Sequence, residues 1–113
     1  MRMVLLHHGT DAVSAHDIFT FGIDAAKAAR YNGAGEFWAT TDLVAADWFA
    51  KVNLANGPPV RFSFEIPDTV LQALLSARPE VVRADGQGNY EFLPPSFPVL
   101  NQHLTGKRLV PVP

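Results

Sequence analysis

Apolar and polar side chains alternate without a break from Val60 to Ile66. Successive side chains of an extended chain point to opposite faces, so the four apolar residues of this stretch share one face and Arg61, Ser63 and Glu65 share the other. That pattern predicts a β-strand with one buried face. Such a strand needs neighbouring strands and a covering layer, which limits the chain to folds that contain a sheet.

Shorter patterns predict the other elements of the chain. The further strands predicted are Met3–Leu6, Glu80–Ala84, Asn89–Leu93 and a proline-ended edge strand over Lys107–Val112. The helices predicted are Asp11–Phe21, which ends at Gly22, together with Asp42–Leu54 and Thr69–Leu75. The segment Asp24–Arg30 fits either one or two helical turns or an ordered loop that carries basic residues.

The helix predicted over Asp42–Leu54 is apolar on most of its circumference. Its polar stripe is thin and consists of Asp47, Lys51 and Asn53. A helix that is apolar on most faces is normally covered on most faces. We therefore expect this helix to be buried by its neighbours. The proline pair that follows ends it, because proline has no amide donor.

The number and spacing of these elements indicate a fold class. The predicted strands outnumber what alternating helices can cover. This favours an α+β fold with a split, mostly antiparallel, two-layer sheet and flanking helices over a doubly wound parallel sheet. A length of 113 residues is enough for one hydrophobic core. Residues 1–113 are therefore expected to form a single domain.

Composition narrows the classes of function. The net charge of −2 argues against bulk attraction to nucleic acid, although it is compatible with a nucleic-acid acceptor bound at one site. The absence of cysteine excludes disulfides and thiolate metal sites. No window approaches the roughly 20 apolar residues that span a bilayer. We therefore expect a soluble protein without a membrane partner.

Two segments carry the residue types of a binding cleft. An apolar run near the N-terminus delivers His7–Thr10, as a strand does when it places polar groups at the floor of a cleft. In the second segment a glycine-containing loop, Tyr31–Gly35, feeds the aromatic strand Phe37–Ala39. Two such strand ends side by side predict a pocket with an aromatic wall, a histidine and several backbone donors.

The two histidines of the first segment are interpreted differently. His8 either hydrogen-bonds a ligand hydroxyl or is held by a backbone carbonyl, and the spacing does not separate these alternatives. His7 points to the opposite face and is predicted to be structural. A metal site is not predicted, because adjacent strand residues diverge and no cysteine completes a site.

The aromatic and acidic candidates also have alternatives. Trp38 is suited to stack on a planar ligand ring. Phe37 and Phe49 more often belong to a core than to a ligand wall. Four acidic candidates are not separated by their patterns: Glu36, Glu65, Glu80 and Glu91.

Several motifs follow one another in a fixed order: His8-Gly9-Thr10, a helix that ends in Gly22-Ile23-Asp24, a glycine-rich loop, and Phe37–Asp42 before an alanine-rich helix. In this order they resemble the catalytic core of ADP-ribosyltransferases of the diphtheria-toxin and poly-ADP-ribose-polymerase type. The resemblance is greatest to small bacterial toxin-like members of that family. It covers residues 4–55 and, beyond them, the order of elements alone.

The resemblance implies that NAD is the substrate and implies a set of residues around it. His8 would hold the adenine-side ribose, and the backbone of Gly9 would pair with the nicotinamide carboxamide. Thr10 occupies the adjacent hydroxyl position. Trp38 stands where the family has a stacking tyrosine, so it keeps the aromatic face and lacks the phenolic hydroxyl. Phe49 falls near the second stacking aromatic.

The resemblance also implies a catalytic carboxylate and a pyrophosphate contact. Glu91 corresponds to the carboxylate at the start of a late strand, and Glu65 is the alternative. Arg30, with Lys27 and Arg61 as alternatives, is the candidate for the pyrophosphate, because guanidinium and ammonium groups complement phosphate oxygens.

Two classes of function follow from the resemblance. The first is an enzyme that transfers ADP-ribose from NAD to a macromolecule, as a bacterial toxin or effector, or to water as an NAD glycohydrolase. The second is a catalytically degenerate module of the same fold that binds a nucleotide or a partner protein. The first class implies a protein or nucleic-acid acceptor and an antitoxin or immunity protein as partners.

Overall fold

The computed structural model describes residues 1–27, 35–52 and 57–113. The strands are β1 Met3–Asp11, β2 Phe37–Thr40, β3 Pro59–Pro67, β4 Val82–Ala84, β5 Asn89–Phe92 and β6 Thr105–Pro111. The main helices are α1 Ala12–Phe21, α2 Leu43–Val52, α3 Asp68–Ser76 and α4 Phe97–His103, with a 3-10 turn at Pro94–Ser96. None of the described helices is long and apolar enough to cross a bilayer. Arg30 and residues 31–34, for which the sequence predicts a loop, lie outside the described ranges.

The described strands form one antiparallel sheet in the order β4-β5-β2-β1-β3-β6. With its flanking helices this sheet confirms the predicted α+β class and the predicted edge position of β6. The two separate layers expected from the sequence are replaced by a continuous sheet, because β1 and β2 bridge its halves. The bridge is narrow: within the described ranges these strands share one register pair, His7 opposite Thr40.

The main hydrophobic core lies on one face of the sheet. β3 contributes Phe62, Phe64 and Ile66, which are fully buried and belong to the apolar face that the alternation predicts. Leu71 of α3 and Leu100 of α4 join the same cluster. Because this core occupies one face, the side chains of β1 and β2 that do not enter it point to the opposite face of the sheet.

The helix α1 begins and ends where the sequence predicts. Asp11 caps its N-terminus by accepting a hydrogen bond from the amide of Ser14 at 2.8 Å. Gly22 ends the helix with a φ of 88°, a left-handed conformation that glycine adopts without a Cβ penalty. The prediction for this helix is therefore confirmed to within one residue.

The helix α2 packs on the opposite face of the sheet, directly against the backbone of β1. A Cβ built on Gly9 would overlap the carbonyl oxygen of Ala46 and lie 2.7 Å from the amide nitrogen of Ala50. Glycine is therefore required for this approach. The predicted burial of the helix on most faces is wrong, because no described element covers its outer side. Its exposed apolar residues are Leu43, Val44, Trp48, Phe49 and Val52.

Candidate functional site

A cavity of about 1480 Å³ opens between α1, β1, β2 and α2. Its volume exceeds the roughly 300–1,000 Å³ of a typical small-molecule pocket. The cavity is lined by site residues that the sequence analysis names: His8, Gly9, Thr10, Trp38 and Phe49. The fold thus brings together candidate residues from β1, β2 and α2.

His8 is held by two contacts with β2. Its Nδ1 lies 2.6 Å from the carbonyl oxygen of Trp38, and its ring stacks on Phe37 with the centroids 4.3 Å apart. A carbonyl oxygen only accepts hydrogen bonds, so Nδ1 carries a proton and donates it. In the neutral ring, Nε2 is then an acceptor.

The environment of His8 lowers its pKa from the ordinary value of 6.5. Burial is the largest cause, and it outweighs the hydrogen bond to Trp38 and the charge of Asp11, which both raise the pKa. The ring is therefore neutral at pH 7. Both interpretations of this histidine are compatible with the structure, because a backbone carbonyl holds Nδ1 while Nε2 has no hydrogen bond to a described residue.

Gly9 and Thr10 reach the cavity from the end of β1. Thr10 is half-buried and lies opposite Val60 of β3. Gly9 lies beyond the register pair that joins β1 to β2 at His7. The close approach of α2 gives Gly9 a packing reason to be glycine that is independent of any ligand.

The aromatic side chains of the cavity wall are open to solvent. Trp38 is 49% exposed and Phe49 is 47% exposed. The ring of Phe49 meets that of Trp48 edge-on, with the centroids 5.2 Å apart. Phe37 is buried in the core, as predicted. Phe49, for which the sequence also favoured a core position, lines the cavity instead.

Glu91 lies on β5, directly opposite Trp38 in the sheet register. Its Oε1 accepts a hydrogen bond from Nη1 of Arg83 at 2.6 Å. Glu91 is not among the described residues that line the cavity. The alternative carboxylate, Glu65, lies on β3 beside Gly106 and is likewise outside the described lining. The structure therefore brings Glu91 to the strand next to Trp38 and separates Glu65 from this region.

The described lining of the cavity is more acidic than basic. Lys27 is the one lysine or arginine in it, and its Nζ lies 2.8 Å from Asp17. Arg61, an alternative for the pyrophosphate, instead pairs with Asp47 of α2 at 2.7 Å, because its strand position faces that helix. In the described part of the chain no three His, Asp or Glu side chains are grouped to hold a metal ion. The acidic lining residues are Asp11, Asp17, Asp24, Glu36 and Asp85.

His7 is buried between strands on the face opposite that of its neighbour. Its Nδ1 lies 2.6 Å from the hydroxyl oxygen of Ser63. Burial is the main reason that its pKa is lowered; the charges of Arg61 and Arg108 lower it further and that of Asp47 raises it. The pair of His7 and Ser63 thus connects β1 to β3.

The cavity lining contains a polar network that no sequence pattern predicts. The hydroxyl of Thr40 donates to Oδ1 of Asn89 at 2.6 Å, and the amide of Asn89 donates to Asp85 at 2.6 Å. All three residues line the cavity. Glycines predict the turn before Asn89, but the pairing of Asn89 with Thr40 depends on the β2–β5 register, which no local pattern encodes.

No known protein family, curated protein or solved structure matches the chain. The ADP-ribosyltransferase resemblance therefore rests on the order of the sequence motifs.

Proposed function

We propose that this chain is an NAD-dependent ADP-ribosyltransferase. The observation that carries the proposal is the link between His8 and Trp38: a 2.6 Å hydrogen bond joins the His8 ring to the main-chain carbonyl of Trp38, and both residues contribute to the lining of the same cavity. The resemblance assigns the histidine to the adenine-side ribose and the aromatic residue to the nicotinamide. Their meeting at one cavity supports a site for a dinucleotide.

The lining residues have chemical properties that suit NAD. The unprotonated Nε2 of His8 accepts a hydrogen bond from a ribose hydroxyl. The exposed rings of Trp38 and Phe49 offer apolar faces to the nicotinamide ring. An indole also attracts the positive charge of that ring. The volume of the cavity, above that of a typical small-molecule pocket, is in keeping with a dinucleotide.

The proposed reaction breaks the bond between nicotinamide and its ribose. As nicotinamide leaves with the bonding electrons, the ribose becomes oxocarbenium-like, and a carboxylate against the 2′-hydroxyl stabilises that charge. We assign this role to Glu91, which neighbours Trp38 in the sheet register. The acceptor then forms a bond to the ribose carbon, and its proton passes to a base, for which the same carboxylate is the candidate.

The biological setting is part of the same proposal. A protein or nucleic-acid acceptor receives ADP-ribose in the cytoplasm of the producing or target cell, and water takes its place in an NAD glycohydrolase. An antitoxin or immunity protein restrains such an enzyme when it acts as a bacterial toxin. Support for these partners comes from the family resemblance alone.

The test measures free nicotinamide after the protein is incubated with NAD. We expect the wild-type protein to release nicotinamide and Glu91→Gln to lose about 100-fold or more of the rate, because an amide does not stabilise the developing positive charge. Glu65→Gln is the matched control, since it makes the same isosteric change outside the described cavity lining, and it should keep the wild-type rate. A loss of rate in Glu65→Gln, with a wild-type rate in Glu91→Gln, would assign the catalytic role to Glu65 instead.

A nucleotide-binding module without chemistry is the second candidate. It is favoured by the ion pair between Arg83 and Glu91, and by the position of Glu91 outside the described cavity lining. Calorimetric titration with NAD, run beside the nicotinamide assay, separates the two candidates. Binding that weakens in Trp38→Ala, without nicotinamide release by the wild type, supports the module. If the wild-type protein neither binds NAD nor releases nicotinamide, both candidates are overturned.

A further inference from the structure

A row of three side chains crosses the sheet next to the cavity. Trp38 on β2 lies opposite Glu91 on β5, and Glu91 lies opposite Arg83 on β4. Directly opposite residues share a face of the sheet and hold their Cβ atoms about 4.5–5.5 Å apart. The proposed catalytic carboxylate is therefore flanked by an aromatic ring on one side and a guanidinium on the other.

The ion pair in this row is short and unequally exposed. Nη1 of Arg83 donates to Oε1 of Glu91 at 2.6 Å, a distance typical of a charge-assisted hydrogen bond. The side chain of Glu91 is 11% exposed, whereas that of Arg83 is 56% exposed. Removing a carboxylate from water costs free energy, and the guanidinium offsets part of that cost. The pair thus fixes a mostly buried carboxylate from its solvent side.

The second oxygen of the Glu91 carboxylate remains available. Oε2 has no hydrogen-bond partner among the described residues. In the described ranges, the one fully buried side-chain atom that lacks a partner is Nε of Arg61, so Oε2 of the mostly buried Glu91 keeps some contact with solvent. An arginine that binds one oxygen therefore leaves the other able to contact a ligand.

Arg83 is itself held from a second side. Its Nε donates to the carboxylate of Glu80 at 3.2 Å. The pKa of the Arg83 guanidinium is raised, first by the hydrogen bond to Glu91 and next by the hydrogen bond to Glu80. Two carboxylates balance the charge of Arg83, which makes it poorly suited to bind a substrate phosphate. Its contacts fit a positioning role instead.

We propose that Arg83 is a positioning residue that holds the Glu91 carboxylate with Oε1 occupied and Oε2 presented to the substrate ribose. This inference rests on the proposed cleavage of NAD. It adds a residue that the sequence resemblance does not assign. It also assigns a functional role to the ion pair, because a guanidinium on one oxygen fixes the orientation of the carboxylate without blocking the other oxygen.

The test compares kcat and KM of Arg83 variants for nicotinamide release. We expect Arg83→Ala to lower kcat about 10- to 100-fold with a smaller change in KM, because a displaced catalytic group loses rate on that order. Arg83→Lys should recover part of kcat, since an ammonium keeps one charged donor. Arg78→Ala is the matched control and should behave as the wild type, because Arg78 is exposed and its described hydrogen bonds go to backbone carbonyls.

The outcomes separate this inference from the proposed function. Thermal unfolding of each variant shows whether it is folded, and Arg83→Gln, which removes the charge and keeps a long polar side chain, decides the question if Arg83→Ala does not fold. A wild-type kcat in a folded Arg83→Ala or Arg83→Gln protein overturns the positioning role and leaves the proposed function standing. Absence of nicotinamide release by the wild type overturns the proposed function and this inference with it.

Discussion

The helices α1 and α2 start alike and are held differently. Each follows a strand, begins after a Thr-Asp pair and has ten residues. Asp11 and Asp42 accept hydrogen bonds from amides in the first turns of α1 and α2 respectively. Asp11 is 1% exposed, whereas Asp42 is exposed. The same capping chemistry therefore operates in a buried and in a solvated setting.

The difference extends to what each helix buries. The helix α1 packs Ile18 and Phe19 against the hydrophobic core. The buried residues of α2 are two alanines, Ala46 and Ala50, which permit its close approach to Gly9. One helix is thus packed through apolar side chains, and the other through close backbone contact and the ion pair between Arg61 and Asp47. Backbone contact leaves the large apolar side chains of α2 on the surface and beside the cavity.

The largest loss of stability is expected from Gly9→Ala, which removes the close backbone contact that distinguishes α2 from α1. The added methyl group would overlap the carbonyl oxygen of Ala46, so we expect a loss on the order of 3 kcal/mol in the free energy of unfolding. Urea unfolding followed by circular dichroism measures that loss. Gly86→Ala is the control: its Cβ would meet nothing within 4 Å, and its positive φ alone costs about 1 kcal/mol. Equal losses would show that α2 is not held at Gly9.

An intermediate effect is expected from Asp11→Ala. This change removes the cap of α1 and leaves the hydroxyl of Ser14 without its acceptor at 2.9 Å, which should cost about 2 kcal/mol. Asp42→Ala removes the equivalent cap of α2 in an exposed setting and should cost about 0.5–1 kcal/mol. Urea unfolding compares the two variants. A larger loss of unfolding free energy in Asp42→Ala than in Asp11→Ala would show that the exposed cap of α2 contributes more than the buried cap of α1.

The smallest effect is expected on the outer side of α2. Val44 is 75% exposed and Trp48 is 59% exposed, and no described element covers them. Val44→Gln and Trp48→Gln should each change the free energy of unfolding by less than about 0.5 kcal/mol, as is usual for surface substitutions. Thermal and urea unfolding provide the measurement. A loss above about 1 kcal/mol in either variant would mean that this side of the helix is packed.

Sequence patterns predict those elements whose signals lie within a single segment. The alternation over Val60–Ile66 predicts both β3 and the face that it buries. Asp11 and Gly22 predict the ends of α1, because a capping carboxylate and a left-handed glycine act on the helix next to them. The assignment of His8 and Trp38 to one candidate site comes instead from the resemblance to ADP-ribosyltransferases, which rests on the order of several motifs.

Features that depend on distant partners could not be predicted in this way. The composition of α2 indicates a buried helix, yet burial depends on which other elements pack against it. The hydrogen bond from His8 to the Trp38 carbonyl depends on how β1 and β2 approach each other. The pairing of Arg83 with Glu91 requires the register of two short strands. The sequence thus predicts the residue types of the site but not their geometry.

The strands at the two ends of the sheet bear on how separate molecules of this protein meet. β4 has only three residues, and β6 carries Lys107 and Arg108 and ends at Pro111. An unpaired strand can add a strand from another chain, and short length, positive charge and proline each oppose that addition. Concentrated samples should therefore resist edge-to-edge aggregation, even though α2 exposes aromatic side chains.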